Sequence, residues 1–208
     1  MPLAADRIET LFTRADGTYL CARWGRPLAP VVFGVEDETI EVVRAALDAV
    51  CTLAGLELAE MDPELGANLM IFFVGAWDDL RGVPNLDRLI AGFDGLLDRL
   101  EAADAHQYRV FRFDEAGAIR ACFAFVRIGP DLAGQGADVI ALGQAVQAML
   151  SWGEGAFDAA SPLALAEGRT VLRPEIAALI AAAYDPVMPA MADDPAHALR
   201  LAARMRAT

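Results

Sequence analysis

Residues 139–158 read VIALGQAVQAMLSWGEGAFD, a run with the period of an amphipathic helix. Val139, Leu142, Val146 and Met149 fall on one stripe. Gln144, Gln147 and Ser151, at spacings of three and four, fall on a polar stripe opposite. Asp138 stands where an N-cap is expected. The helix runs into a turn in which Glu154 and Asp158 flank Gly155. The polar stripe is either the floor of a cleft or the wet face that a surface helix needs, and the wet face is the simpler expectation. The paired acids could do acid/base work or bind Ca²⁺, although a solvated acidic turn explains them as well.

Upstream, GTYLCARWG alternates as a strand does, and PVVFGV is a short β-branched run. EDETIEVVRAALDAVCTLAGL then takes helical period, with Ile40, Val43, Leu47, Val50 and Ala54 on one face, Asp37 as the expected N-cap and Gly55 at the end. The nearly all-apolar ANLMIFFVG predicts a central strand covered on both faces. The spacing predicts one helix over 85–103. QYRVFRF and IRACFAFVRIG, joined by DEAG, predict a β-hairpin. Beyond residue 158, Pro174 introduces one helix, DPVMPAM ends it, and Asp194-Pro195 begins another. The order predicts an α+β fold with a mixed sheet carrying an antiparallel hairpin. It is expected as one domain over 1–208: the sheet with two helices in 1–138, then the helix at 139 and a C-terminal helical part.

The composition narrows the function. At 56% apolar and 23% charged, 208 residues suffice for one well-filled core. A net charge of −13 argues against binding a nucleic-acid backbone. The longest nearly apolar run, 176–184, is about half of the roughly 20 residues a bilayer crossing needs, so no membrane span is expected. No signal peptide is visible at the N-terminus, which points to the cytoplasm unless a leader has been trimmed. Cys21, Cys51 and Cys122 fit either one bridge with a spare thiol or three buried thiols, the second being the plainer case.

The order of elements resembles that of zincin-type metallopeptidase domains, in which a mixed sheet is followed by a helix carrying H-E-x-x-H. It looks closer still to a zincin-like family of unknown function common in proteobacterial exported proteins. VQAMLSWGEGAFD matches that family's helix and acidic turn, and ALIAAAYDPVMPAM matches its later Y-D-P and P-x-M stretch. The resemblance covers 31–204, mostly as order of elements, and implies a zincin-like fold and, with a leader removed, a periplasmic location.

The chain departs from the family where zinc would bind. Two zinc ligands on a helix stand four residues apart, and Leu142/Val146, Gly143/Gln147 and Gln144/Ala148 are not ligand pairs. The family's glutamate falls at Gln144, whose amide cannot take a proton from water. His106 and His197, the two histidines, are expected to be ordinary solvated side chains. No nucleophile motif is present, and the glycines of GPDLAGQGAD lack the Lys and Ser/Thr of a phosphate loop. No catalytic residue, metal or cofactor is therefore expected.

The candidate cleft comprises Gln144, Gln147, Ser151, Glu154 and Asp158, with Trp77 lining its upper rim. Trp24, Trp77 and Trp152 are all expected at the edge of the core. The leading expectation is a non-catalytic zincin-like domain that binds a peptide or protein, by strand addition or in the cleft. The alternatives are a hydrolase with a non-standard acidic site around Glu154 and Asp158, and a homo-oligomerisation module, such as a homodimer through the alanine-rich C-terminal helices.

Overall fold

The computed structural model describes residues 3–207, Asp131 by its backbone alone. It begins with helix α1 (Ala5–Phe12), which buries Ile8, Leu11 and Phe12 one turn apart. The sequence reading assigned no element there. The run around Cys21, expected as a full strand, forms only β1 (Cys21–Ala22), antiparallel to β8 (Met191–Ala192). Its flanking residues divide their backbone bonding instead, Arg23 bridging Leu150 and Trp24 bridging Ile119. The segment thus ties Ile119 of the sheet to Leu150 and has no continuous ladder of its own.

The main sheet contains β2 (Pro30–Phe33), β3 (Leu69–Val74), β4 (Gln107–Phe113) and β5 (Ile119–Arg127) in the order β2-β3-β5-β4. β2, β3 and β5 are parallel, and β4 returns antiparallel to β5 as an edge strand. The chain is therefore α+β with a mixed sheet and antiparallel hairpins. On the hairpin tip, Asp114 Oδ1 accepts from the N–H groups of Ala116 and Ala118, both at 2.9 Å.

The apolar run of β3 serves two cores, as a strand covered on both faces must. Leu69, Ile71 and Phe73 face the larger core, with Cys122, Ala124 and Val126 of β5. Helix α2 (Asp37–Ala54) crosses over that face and buries Val43, Leu47, Val50, Cys51 and Ala54. Its N-cap is Glu36; Asp37 lies in the first turn. Gly55 ends it at φ 64°, in the left-handed region where glycine is favoured.

Phe72, Phe123 and Phe125 face the smaller core, which is closed by a 3-10 helix (Trp77–Gly82), α3 (Leu86–Leu89) and α4 (Phe93–Ala102). The single helix expected over 85–103 is broken. Asn85 and Gly92 both take positive φ, 67° and 68°, and Ile90 is extended. The break lets Ile90, Phe93, Leu96 and Leu97 wrap around the aromatic side chains of the sheet, whereas one straight helix would present a single stripe.

After α5 (Pro130–Ala133), the opening stretch forms α6 (Ala137–Ala148) against α2. Gly136 is its N-cap, and Asp138 lies in the first turn without a capping bond. A hairpin follows that the sequence reading passed over, β6 (Leu163–Ala166) with β7 (Arg169–Leu172). Its turn residues Glu167 and Gly168 have φ of 50° and 78°, as a two-residue hairpin turn requires. Helices α7 (Pro174–Ala183) and α8 (His197–Met205) complete the chain, α8 packing on both α7 and α1. Cys21, Cys51 and Cys122 are free and buried. No helix among the described residues is long and apolar enough to cross a membrane.

Candidate functional site

Alternation along QYRVFRF puts Gln107, Arg109, Phe111 and Phe113 on one face of β4. Tyr108 and Val110 point the other way, into the smaller core. The Arg127 N–H donates to the His106 carbonyl at 2.9 Å, which sets the phase of the β4–β5 ladder. In that phase Tyr108 and Val110 bond to β5. The N–H and C=O groups of Gln107, Arg109 and Phe111 are directed away from the sheet. The open edge and the Arg109 face thus belong to the same three residues.

Behind this face stands α6. Gln144 and Gln147, three residues apart, reach β4 together. Arg109 Nη1 donates to Gln147 Oε1 at 2.9 Å, while Nη2 donates to Gln107 Oε1 at 3.2 Å and to Gln144 Oε1. Gln144 Nε2 donates to Gln107 Oε1 at 3.1 Å, and Gln107 Nε2 to Gln147 Oε1 at 3.2 Å. Three neutral amides therefore surround a guanidinium that has no carboxylate partner among the described residues. Its Nε is sealed from solvent and has no hydrogen-bond partner there. Burial pulls the guanidinium down to about 10, so the charge is still carried at neutral pH.

The cluster borders a cavity of about 550 Å³ that runs along the free edge of β4. Phe111, Phe113, Trp152 and Phe157 supply its apolar walls, and Arg14, Glu154 and Asp158 its charged ones. The far wall follows α6 and is held by short-range packing. Trp152 stacks on Phe12 with centroids 5.1 Å apart and meets Phe157 edge-on at 5.0 Å. Its Nε1 donates to the Val146 carbonyl at 3.1 Å. Gly153 presses against α1: a Cβ there would lie 2.3 Å from the Thr13 carbonyl oxygen.

Of the residues singled out from the sequence, Gln147, Glu154 and Asp158 line this cavity. Gln144 lies just behind them, 6% exposed. Glu154 accepts the Ala15 N–H at 3.0 Å, which fixes the acidic turn to the end of α1. Ser151 is elsewhere. It is buried, accepts the Ala22 N–H at 2.8 Å and donates to the Leu20 carbonyl at 3.2 Å, clamping the β1 segment. Trp77 also lies outside the cavity, buried in the smaller core with its Nε1 donating to the Ala105 carbonyl at 3.0 Å. The polar stripe is thus not a wet face. α6 packs on α2 and reaches the sheet, so Gln144 and Gln147 bond to β4, and Ser151, beyond the helix, bonds to the β1 segment.

His197 is likewise buried, against expectation, with Nδ1 3.0 Å from the Tyr19 hydroxyl. Burial, and then Arg200, hold its pKa below the ordinary histidine value. His106 is half-buried beside Arg127. Trp24 is buried too, its Nε1 donating to the Ala148 carbonyl at 2.8 Å, and Tyr184 of the Y-D-P stretch donates to the Met149 carbonyl at 2.7 Å. These two bonds fix the C-terminal end of α6, from which the cavity wall begins.

Sequence reasoning missed Gln107, Arg109, Trp152 and Phe157 as cavity residues. Period-two alternation in QYRVFRF was the available signal, since it groups an arginine with two aromatics on one face. Chemically, the cavity offers two cations, Arg109 and Arg14, with amide donors, aromatic surface and an open sheet edge. Burial pushes the Cys122 thiol up to about 12, which leaves it protonated at neutral pH. Among the described residues, no group of three or more His, Cys, Asp or Glu side chains is placed to hold a metal ion. Compared with models of protein families, with curated proteins and with solved structures, the chain matches none.

Proposed function

We propose that this chain is a non-catalytic zincin-like domain that binds an extended peptide along the edge of β4. The observation that carries the reading is the coincidence of two features on three residues. Gln107, Arg109 and Phe111 turn outward backbone groups that no strand among the described residues pairs, and their side chains border the cavity. An extended peptide added there would gain main-chain hydrogen bonds and place alternate side chains against Phe111, Phe113, Trp152 and Phe157. The zincin-like part rests on the Gln147–Asp158 and Ala178–Met191 resemblances, together with a mixed sheet whose antiparallel strand borders the helix at Gln144.

A random heptapeptide library displayed on phage and selected on the immobilised protein tests the reading. Enriched peptides are then synthesised and titrated into ¹⁵N-labelled protein. The expected result is enrichment of proline-poor, β-forming sequences that shift the amides of Gln107, Arg109 and Phe111 and remain intact by mass spectrometry. No enrichment, or shifts confined to another face, would contradict strand addition. Steady cleavage of the bound peptide, lost in Glu154→Gln or Asp158→Asn, would contradict the non-catalytic part and favour an acidic hydrolase.

A further inference from the structure

Hydrogen-bond accounting in the cavity wall is unbalanced. A guanidinium carries five N–H donors and each primary amide two, while each of the three amide oxygens offers two lone pairs. Gln107, Gln144, Gln147 and Arg109 thus hold many more donors than acceptors. The bonds among them use the amide oxygens and leave Arg109 Nε, buried, with no partner among the described residues. The cluster also carries a positive charge that no carboxylate among the described residues neutralises. Arg109 is half-buried, and a charge partly withdrawn from water is ordinarily paired because desolvation disfavours it. Nε itself is sealed, so what the cavity can add is one negative charge beside the part of Arg109 that lines it.

We propose that Arg109, held in place by Gln107, Gln144 and Gln147, receives one carboxylate of the peptide bound along β4, an inference that rests on the strand-addition reading. A planar carboxylate matches the guanidinium fork and turns an uncompensated charge into a charge-assisted pair. Phosphate suits the site less well. Glu154 and Asp158 line the same cavity as Arg109 and Arg14, and the chain carries a net charge of −13, so a doubly charged group meets more repulsion there than a singly charged one.

The placement also sets a direction. A C-terminal carboxylate at Arg109 leaves the rest of the peptide to run past Phe111 and Phe113. A chain running from Phe113 toward Arg109 is antiparallel to β4. An Asp or Glu side chain within the peptide could supply the same carboxylate, so the source is left to experiment.

The test has two arms, both on the full chain. In the first, the Arg109 ¹⁵Nε–H resonance is followed while sodium acetate replaces sodium chloride at constant ionic strength. A saturable shift is expected in the wild type. Arg109→Lys, which keeps the charge without the fork, is expected to reduce acetate-dependent thermal stabilisation, and Arg109→Gln to abolish it. In the second arm, acetyl-Val-Thr-Val-Thr is titrated as free acid, as C-terminal amide, and as an amide with Asp in the last position.

The free acid is expected to bind at least tenfold more tightly than the plain amide, and the Arg109→Gln variant to remove that difference. An Asp-containing amide that equals the acid assigns the carboxylate to a side chain. One that equals the plain amide assigns it to the chain terminus. An Arg109 resonance indifferent to acetate overturns the proposal whether or not peptides bind. Acid and amides binding alike, with or without Arg109, overturn it while leaving strand addition intact. Acetate binding with no peptide binding keeps the carboxylate site and removes the strand-addition reading.

Discussion

Arg109 Nη1 donates to Gln147 Oε1 at 2.9 Å, a bond that crosses from the edge strand of the sheet to helix α6. It joins the two walls of the cavity through a charge and a neutral amide. Such a bond holds geometry at the expense of stability, because desolvation of the guanidinium is not offset by an opposite charge. Replacing Arg109 with methionine removes that charge and keeps most of the volume, and Gln107, Gln144 and Gln147 can still bond to one another. The variant is expected to gain on the order of 1–3 kcal/mol. In thermal unfolding this is a rise of roughly 2–4 °C per kcal/mol for a chain of this size. A loss of more than about 1 kcal/mol would instead identify Arg109 as a structural brace.

Gln144→Glu brings a carboxylate to the Arg109 guanidinium from within the protein. The introduced group is expected to stabilise the fold at neutral pH and to abolish the acetate response. Its folded-state pKa would lie below its unfolded value of about 4.3, because Arg109 favours the charged form. The added stability is therefore present above that value and lost as pH falls through the depressed one. Thermal unfolding of the variant and the wild type between neutral pH and about pH 3 checks both the sign and the window. A variant less stable than wild type at neutral pH would contradict the charge assignment.

Gly153 lets the cavity wall approach α1, its N–H donating to the Leu11 carbonyl at 2.9 Å. The obstacle to a side chain is the Thr13 backbone, which cannot rotate away as a flexible side chain would. Gly153→Ala is expected to destabilise by about 2–3 kcal/mol in urea titration. The Phe12–Trp152 stacking should loosen with it, read as a change in tryptophan emission. Unchanged stability would mean that the α1–wall contact is not close in solution.

His197 gives the fold an acid sensitivity of its own. Its pKa is depressed by burial and by Arg200, so the unfolded state binds a proton more readily. Its contribution to stability is therefore fully present above 6.5, the unfolded value, and is lost as pH falls below it toward the depressed folded value. His197→Asn can place an acceptor near the Tyr19 hydroxyl without titrating. The expected outcome is a flatter unfolding midpoint in the variant than in the wild type as pH falls below 6.5. Parallel curves for the two proteins would exclude His197 as the source.

Legibility in the sequence followed period and punctuation. β3, α2 and the β4–β5 hairpin were readable because LMIFFV, the Ile40–Ala54 stripe and DEAG each carry an unambiguous local pattern. The helix over 85–103 is broken although the apolar period continues through Gly92, because Ile90 turns extended and Gly92 takes a positive φ there. The β6–β7 hairpin escaped because its turn, Glu167-Gly168, is not among the strongest hairpin pairs, and ALA is equally at home in a helix. Of the cavity, the α6 side was named through Gln144 and Gln147. The β4 side was not, since Arg109 is read alone as a surface charge. Only the tertiary approach of α6 to the sheet edge gives it neutral partners and an unsatisfied Nε. Ser151 and His197 were misjudged for a related reason: their partners, Ala22, Leu20 and Tyr19, lie more than a hundred residues away.

Amide hydrogen exchange along β4, with and without a bound selected peptide, tests the central claim most directly. Strand addition slows exchange at Gln107, Arg109 and Phe111, whose N–H groups gain partners. It leaves Tyr108 and Val110, already bonded to β5, nearly unchanged. Slowing of all β4 amides alike, or of none while the peptide is bound, would contradict peptide binding along this edge.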